Sequence, residues 1–192
     1  MKVAEYPLSK RRTLEIHTDD DSESPRTWGN NGRIFHWHPR YNLGEERVRR
    51  DDYQSAQAVK EWIEENNDVI AILPVYLYDH SGLTINTTGF SCPWDSGQVG
   101  WIVATRDSLK AGGHDVDKLD VEQVKTWLRG EIETFDQFLR GDVYRFDIVG
   151  GKDDGPSCGG FYGSNPLENG MSDHLSKKDR KALQKVTPVL MV

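Results

Sequence analysis

The chain has 192 residues, 36% hydrophobic and 29% charged, with six Trp, seven Tyr and six Phe. That supply of bulky apolar groups suffices for a sizeable core and excludes a disordered polyelectrolyte. The formal charge is −7, with acids spread along the chain and basic clusters at Lys10–Arg12 and Arg47–Arg50; this pattern gives no broad nucleic-acid footprint and is too dilute for an acidic surface that imitates DNA.

The opening Met1–Pro7 lacks the apolar run of a signal peptide, and the longest apolar stretch, Val69–Tyr78, is about half of the ~20 residues a helix needs to cross a bilayer. A cytoplasmic protein without a membrane span is the expectation. Thr13–Thr18 alternates as a half-buried strand, Leu14 and Ile16 inward, Glu15 and His17 outward. An acidic loop over Asp19–Arg26 leads through Trp28 to the turn Gly29-Asn30-Asn31-Gly32 and the β-rich Arg33–His38, so the two strands are expected to pair as a hairpin. Asp51 or Asp52 is placed to cap a helix in which Tyr53, Ala56, Val59 and Ile63 recur at helical spacing, stopped by Asn66-Asn67.

Val69–Tyr78 is apolar on both faces, as a central strand is, and Pro74 within it implies a bulge or an unpaired side. Leu83–Thr87 and Gln98–Thr105 read as further strands. The clearest helix runs over Asp120–Arg140, with Val121, Val124, Leu128, Ile132, Phe135 and Leu139 on one stripe, Asp120 as cap and Gly141 as stop. Asp142–Val149 alternates as a strand, Gly150–Gly155 turns the chain toward Cys158–Tyr162, and a polar helix is expected near Ser176–Lys185. Hairpins outnumber parallel crossovers, which predicts an α+β fold: a twisted, mostly antiparallel sheet covered by two main helices. The chain reads as a single domain over residues 1–192, with its core at about 13–163 and a C-terminal tail over 164–192.

Two constellations suggest chemistry. Tyr78-Asp79-His80-Ser81-Gly82 ends the central strand, and Phe90–Gly97 follows one short strand later. If hairpin closure brings these loops together, His80 is placed to deprotonate Cys92 while Asp79 or Asp95 orients the imidazole, the arrangement acyl transfer needs. The competing reading makes Cys92 a small buried hydrophobe and His80 a turn residue. Cys92 and Cys158 form no Cys-x-x-Cys pair, so neither a zinc knuckle nor a disulfide scaffold is indicated. His36 and His38 lie two apart on one strand face, with His17 and Asp19–Asp21 on the strand expected beside them; those residue types suit a divalent metal, against the simpler reading of solvated histidines beside an acidic loop. Trp28, Trp37, Tyr41 and Trp94 are candidates for a partner or ligand surface, although most large aromatics serve the core. Neither a Gly-x-x-x-x-Gly-Lys-Ser/Thr loop nor a Gly-x-Gly-x-x-Gly fingerprint is present.

Several segments, in this order, resemble an uncharacterised family of small proteins encoded by bacteriophages and related mobile elements. They are Ser24-Pro25-Arg26-x-Trp28-x-Asn30-x-Gly32, Trp37-His38-x-Arg40-Tyr41-Asn42-Leu43-Gly44, Pro74–Gly82, Phe90–Gly100, Phe138-Leu139-x-Gly141-x-Val143-Tyr144 and Cys158–Gly163. The resemblance spans roughly residues 13–163 and carries no catalytic residues over. It implies action in a host cytoplasm on a host protein, such as a defence or regulatory factor. The leading expectation is therefore a noncatalytic accessory protein, and the alternative a small hydrolase using Cys92 and His80, or a metal held by His17, His36 and His38.

Overall fold

A computed structural model describes residues 1–150 and 155–191. In chain order the elements are β1 (Lys2–Ser9), β2 (Arg12–Thr18), β3 (Arg33–His36), β4 (Glu46–Arg47), α1 (Ala56–Asn66), β5 (Val69–Asp79), β6 (Leu83–Asn86) and β7 (Ser96–Thr105). There follow α2 (Arg106–Ala111), α3 (Val121–Leu139), β8 (Val143–Val149), β9 (Ser157–Tyr162), α4 (Lys177–Leu183) and β10 (Val189–Leu190). The fold is α+β, and its strand pairs are antiparallel except β3 with β4. The strands divide between two five-stranded sheets where one was expected. Correspondingly, the chain forms two compact units: Met1–Glu23 with the chain from Gly141 onward, and Ser24–Arg140.

The first unit holds the sheet β10-β1-β2-β8-β9. Alternation along β2 puts Leu14 and Ile16, both fully buried, on the inner face. Phe146 and Ile148 of β8 stand beside them, because Ile16 pairs with Phe146 and Leu14 with Ile148. Met171, Leu175 and Leu183 complete that core, so the stretch expected as a C-terminal tail over 164–192 supplies core residues to the unit. Each such side chain contributes about 1.5–3 kcal/mol by leaving water. The expected hairpin of β2 with the 33–38 strand does not form: β2 lies between β1 and β8, and β3 pairs with β4 and β7. β1 competes successfully because Ala4 and Leu8 supply the same inner face from a strand one tight turn away. Gly151–Asp154 of the expected Gly150–Gly155 turn lie outside the described residues.

In the second unit the sheet β4-β3-β7-β5-β6 is packed on both faces. Val124, Leu128, Ile132 and Phe135 of α3 meet Ile34, Val75, Ile85 and Ile102 on one side. Val59 and Ile63 of α1 meet Phe35 and Val103 on the other. This two-sided burial explains why β5 and β7 are apolar almost throughout. Pro74 lies in β5 where β6 gives no partner, since β6 pairs only with Tyr76–Asp79, and the missing N–H is thereby tolerated. The start of α1 differs from expectation. Arg50–Asp52 form a 3-10 turn, and Ser55 is the cap, its Oγ accepting from Ala58 N at 3.0 Å. The cap of α3 is Asp120, as expected, and Gly141 beyond its end takes a left-handed φ of +73°.

Candidate functional site

The loops after β5 and β6 meet at one end of the second unit's sheet. Tyr78 pairs with Ser96, and Asp79 N donates to the Asp95 carbonyl at 2.9 Å. Ser81, at a left-handed φ of +58°, makes the tight turn from β5 into β6. The Trp37–Gly44 segment after β3 runs beside this junction. Together they enclose a concavity of about 330 Å³ lined by His38, Arg40, Asp79, Trp94, Asp95 and Ser96, among others.

Tyr41 organises one wall. Its ring stacks on His38 at 4.8 Å and 9°, and the Arg40 guanidinium stands 5.1 Å from its centroid. Asp79 Oδ2 accepts from Arg40 at 2.5 Å and from the Tyr41 hydroxyl at 3.2 Å. His38 Nδ1 accepts the backbone N–H groups of Arg40 and Tyr41 at 3.3 and 3.1 Å, so its neutral ring carries the proton on Nε2. Burial, and then the nearby Arg40 cation, hold the His38 pKa below its ordinary 6.5. Trp94 stands 91% exposed at the rim.

The proposed thiol site is assembled in a different order from the one acyl transfer requires. Asp95 Oδ2 takes both contacts: Cys92 Sγ donates to it at 3.8 Å, and His80 Nδ1 lies 3.2 Å from it. The carboxylate sits between thiol and imidazole, whereas a nucleophile needs the imidazole between thiol and carboxylate. Asp79 is engaged with Arg40 and Tyr41 instead of His80. The side chain of His80 is 61% exposed, which leaves the group without the enclosure that strengthens such contacts.

The candidate metal ligands are dispersed. His17 belongs to the first unit, where it stands between Glu15 and Asp147 at 3.4 and 3.5 Å. Asp19 caps the β9 backbone through Gly160 N at 2.7 Å, while Asp20 and Asp21 lie in the loop that follows β2. His36, in the second unit, is sealed in the sheet with Nε2 on Asn42 Oδ1 at 3.1 Å, and burial lowers its pKa. Among the described residues, no group of three or more His, Cys, Asp or Glu is placed to hold a metal ion.

The four candidate surface aromatics part company as well. Trp94 lines the concavity, while Tyr41, partly buried against the core, supports its wall from behind His38 and Arg40. Trp37 packs on the α1 side of the sheet under Arg50. Trp28, half exposed, lines a second cleft of about 520 Å³ with Trp127, His114 and Glu131. That cleft escaped the sequence reading: Trp127 falls just outside the α3 core stripe, and its stacking on His114 at 4.6 Å is a long-range contact no local period reveals. Comparison of the chain with protein families, curated proteins and solved structures finds no match. No helix among the described residues is long and apolar enough to cross a membrane.

Proposed function

We propose that the chain is a noncatalytic accessory protein of a bacteriophage or mobile element that binds a host protein in the host cytoplasm through the Arg40–Tyr41–Trp94 face. The observation that carries this reading is Trp94. An indole 91% exposed beside a concavity gains several kcal/mol only when a partner covers it, about 2 kcal/mol or more at an interface hot spot. Trp, Tyr and Arg are the residue types that dominate such hot spots; Trp94 and Arg40 line this concavity, with the Tyr41 ring packed against Arg40. The Arg40–Asp79 pair keeps those charges matched before any partner arrives, and Asp95 lies 3.2 Å from His80 Nδ1. The phage origin and host target rest on the family resemblance. A hydrolase is the weaker reading, because Asp95 occupies the place a catalytic imidazole would need.

The test is affinity capture from lysate of a candidate bacterial host with the wild-type chain and the Trp94→Ala and Arg40→Ala variants. A protein enriched by wild type and lost by about tenfold or more with Trp94→Ala supports the reading. Equal enrichment by all three, or none by wild type, removes it.

A further inference from the structure

Ser176–Lys185 reads Ser-Lys-Lys-Asp-Arg-Lys-Ala-Leu-Gln-Lys and holds five cations against one acid, in a chain whose overall charge is −7. The fold takes that acid out of the surface. Asp179 is buried, accepts the Ser176 hydroxyl at 2.8 Å and lies 3.4 Å from Arg12 Nε. Arg180 is held by Asp173 at 3.1 Å and by the Ser172 carbonyl at 2.9 Å. Lys177, Lys178, Lys181 and Lys185 are exposed, and among the described residues none of them meets a carboxylate. Lys2, Lys60, Lys118 and Lys125, by contrast, each find one within 3.0 Å. Four lysines left unmatched on one short element, where acids are in surplus elsewhere, is a concentration of charge that the average conceals.

The element is also firmly mounted. Leu183 is buried beneath α4, and Leu175 just before it joins the same core. Lys177, Lys178, Arg180 and Lys181 line an open concavity of about 690 Å³ with Leu175 and Gln184. Through the Arg12–Asp179 contact, the β1–β2 turn with its exposed Lys10 and Arg11 is brought to the head of this helix. α4 rises about 9 Å from Lys177 to Leu183 and Lys185 lies two residues past its end, so the four lysines cover the span of roughly three to four phosphates at ~3.4 Å each along one strand of a duplex. Ser176–Lys185 contains no aromatic residue, so it offers no platform on which unpaired bases could stack.

From this geometry we infer that the α4 face binds the phosphodiester backbone of duplex nucleic acid without reading its bases. The inference uses the first unit alone and is independent of the Trp94 face. It places a nucleic-acid contact on a third basic cluster, Lys177–Lys185, beside those at Lys10–Arg12 and Arg47–Arg50.

Fluorescence anisotropy of a labelled duplex of about 20 base pairs, titrated with the full chain, tests it. Four phosphate contacts at ~0.9 each predict a log–log salt slope of about −3.6, a loss of roughly 100-fold in affinity between about 50 and 200 mM salt. The Lys178→Gln/Lys181→Gln variant is expected to halve that slope to about −1.8, with unchanged circular dichroism because both side chains are exposed. An Arg47→Gln/Arg49→Gln variant in the second unit is expected to leave it unchanged. The inference is overturned by absence of salt-dependent binding, by a wild-type slope in the lysine variant, by equal binding of polyglutamate, or by binding to phosphatidylserine vesicles without binding to the duplex.

Discussion

Glu131 ties α3 to the Ser24–Gly32 segment, and its removal gives the sharpest test of how the second unit is held together. Its carboxylate accepts Asn31 N at 2.7 Å and Gly32 N at 3.1 Å, and pairs with Arg26 Nη1 at 3.3 Å. Both partners are largely sealed, the Arg26 side chain being 7% and Glu131 14% exposed. Glu131→Ala strands two backbone donors and removes one partner of a buried ion pair, a change that costs about 3–5 kcal/mol in general. Arg26 keeps Glu45 at 2.8 Å and the Gly32 carbonyl at 2.6 Å, so the loss belongs at the lower end, about 3 kcal/mol. Glu131→Gln retains an acceptor and should lose about 1–2 kcal/mol. The assay is urea unfolding followed by tryptophan fluorescence. All six tryptophans lie within Ser24–Arg140, so the signal reports this unit alone. The midpoint should fall with an unchanged denaturant slope. A loss below about 1 kcal/mol for Glu131→Ala, or an equal loss for both variants, would refute the account.

Gly100→Ala should destabilise the second unit by about 3 kcal/mol or prevent its folding, because an added Cβ would stand 2.6 Å from the Phe35 carbonyl oxygen across the β3–β7 pair; fluorescence-detected melting reads the effect. Acid should weaken the same unit: burial holds His36 and His38 below 6.5, so the unfolded chain takes up protons first and stability is lost as the pH falls below that value. Urea midpoints at about pH 7.5 and about pH 5.5 should differ more for wild type than for His38→Asn, whose amide oxygen keeps the acceptor. Leu183→Ala should cost the first unit about 2–5 kcal/mol, seen as lost hydrogen-exchange protection in β1, β2 and β8, while tryptophan fluorescence stays native. Cys92→Ala should preserve partner capture within about twofold, since the thiol touches only the edge of the proposed face; loss comparable to Trp94→Ala would restore a role for the sulfur.

The loop junction that builds the candidate site follows from residues close in sequence: β5, its turn and β6 form a hairpin, and β7 returns along β5, so Asp79 and Asp95 had to meet. What escaped was the order of the groups there. The contacts of Cys92, Asp95 and His80 depend on side-chain directions at a loop tip, which no spacing encodes. The same distinction explains the missed cleft and the missed basic face. Trp127 of α3 meets His114 from the loop that follows α2, and Asp179, the single acid of α4, is taken inward by the Ser176 hydroxyl and by Arg12, far away in sequence.

By itself the sequence determined every feature that a period of two or of about 3.6 can express: the buried face of β2, the stripe and cap of α3, the apolar run of β5 and hence the α+β class. Only the tertiary structure decided that β2 lies between β1 and β8, that the strands divide into two sheets, and that residues 164–191 include core. Periodicity states which face of an element must leave water, but many apolar faces can satisfy one another. The choice among them is made by long-range packing, in which β1 and β8 matched β2 along its length and β3 found its partners elsewhere.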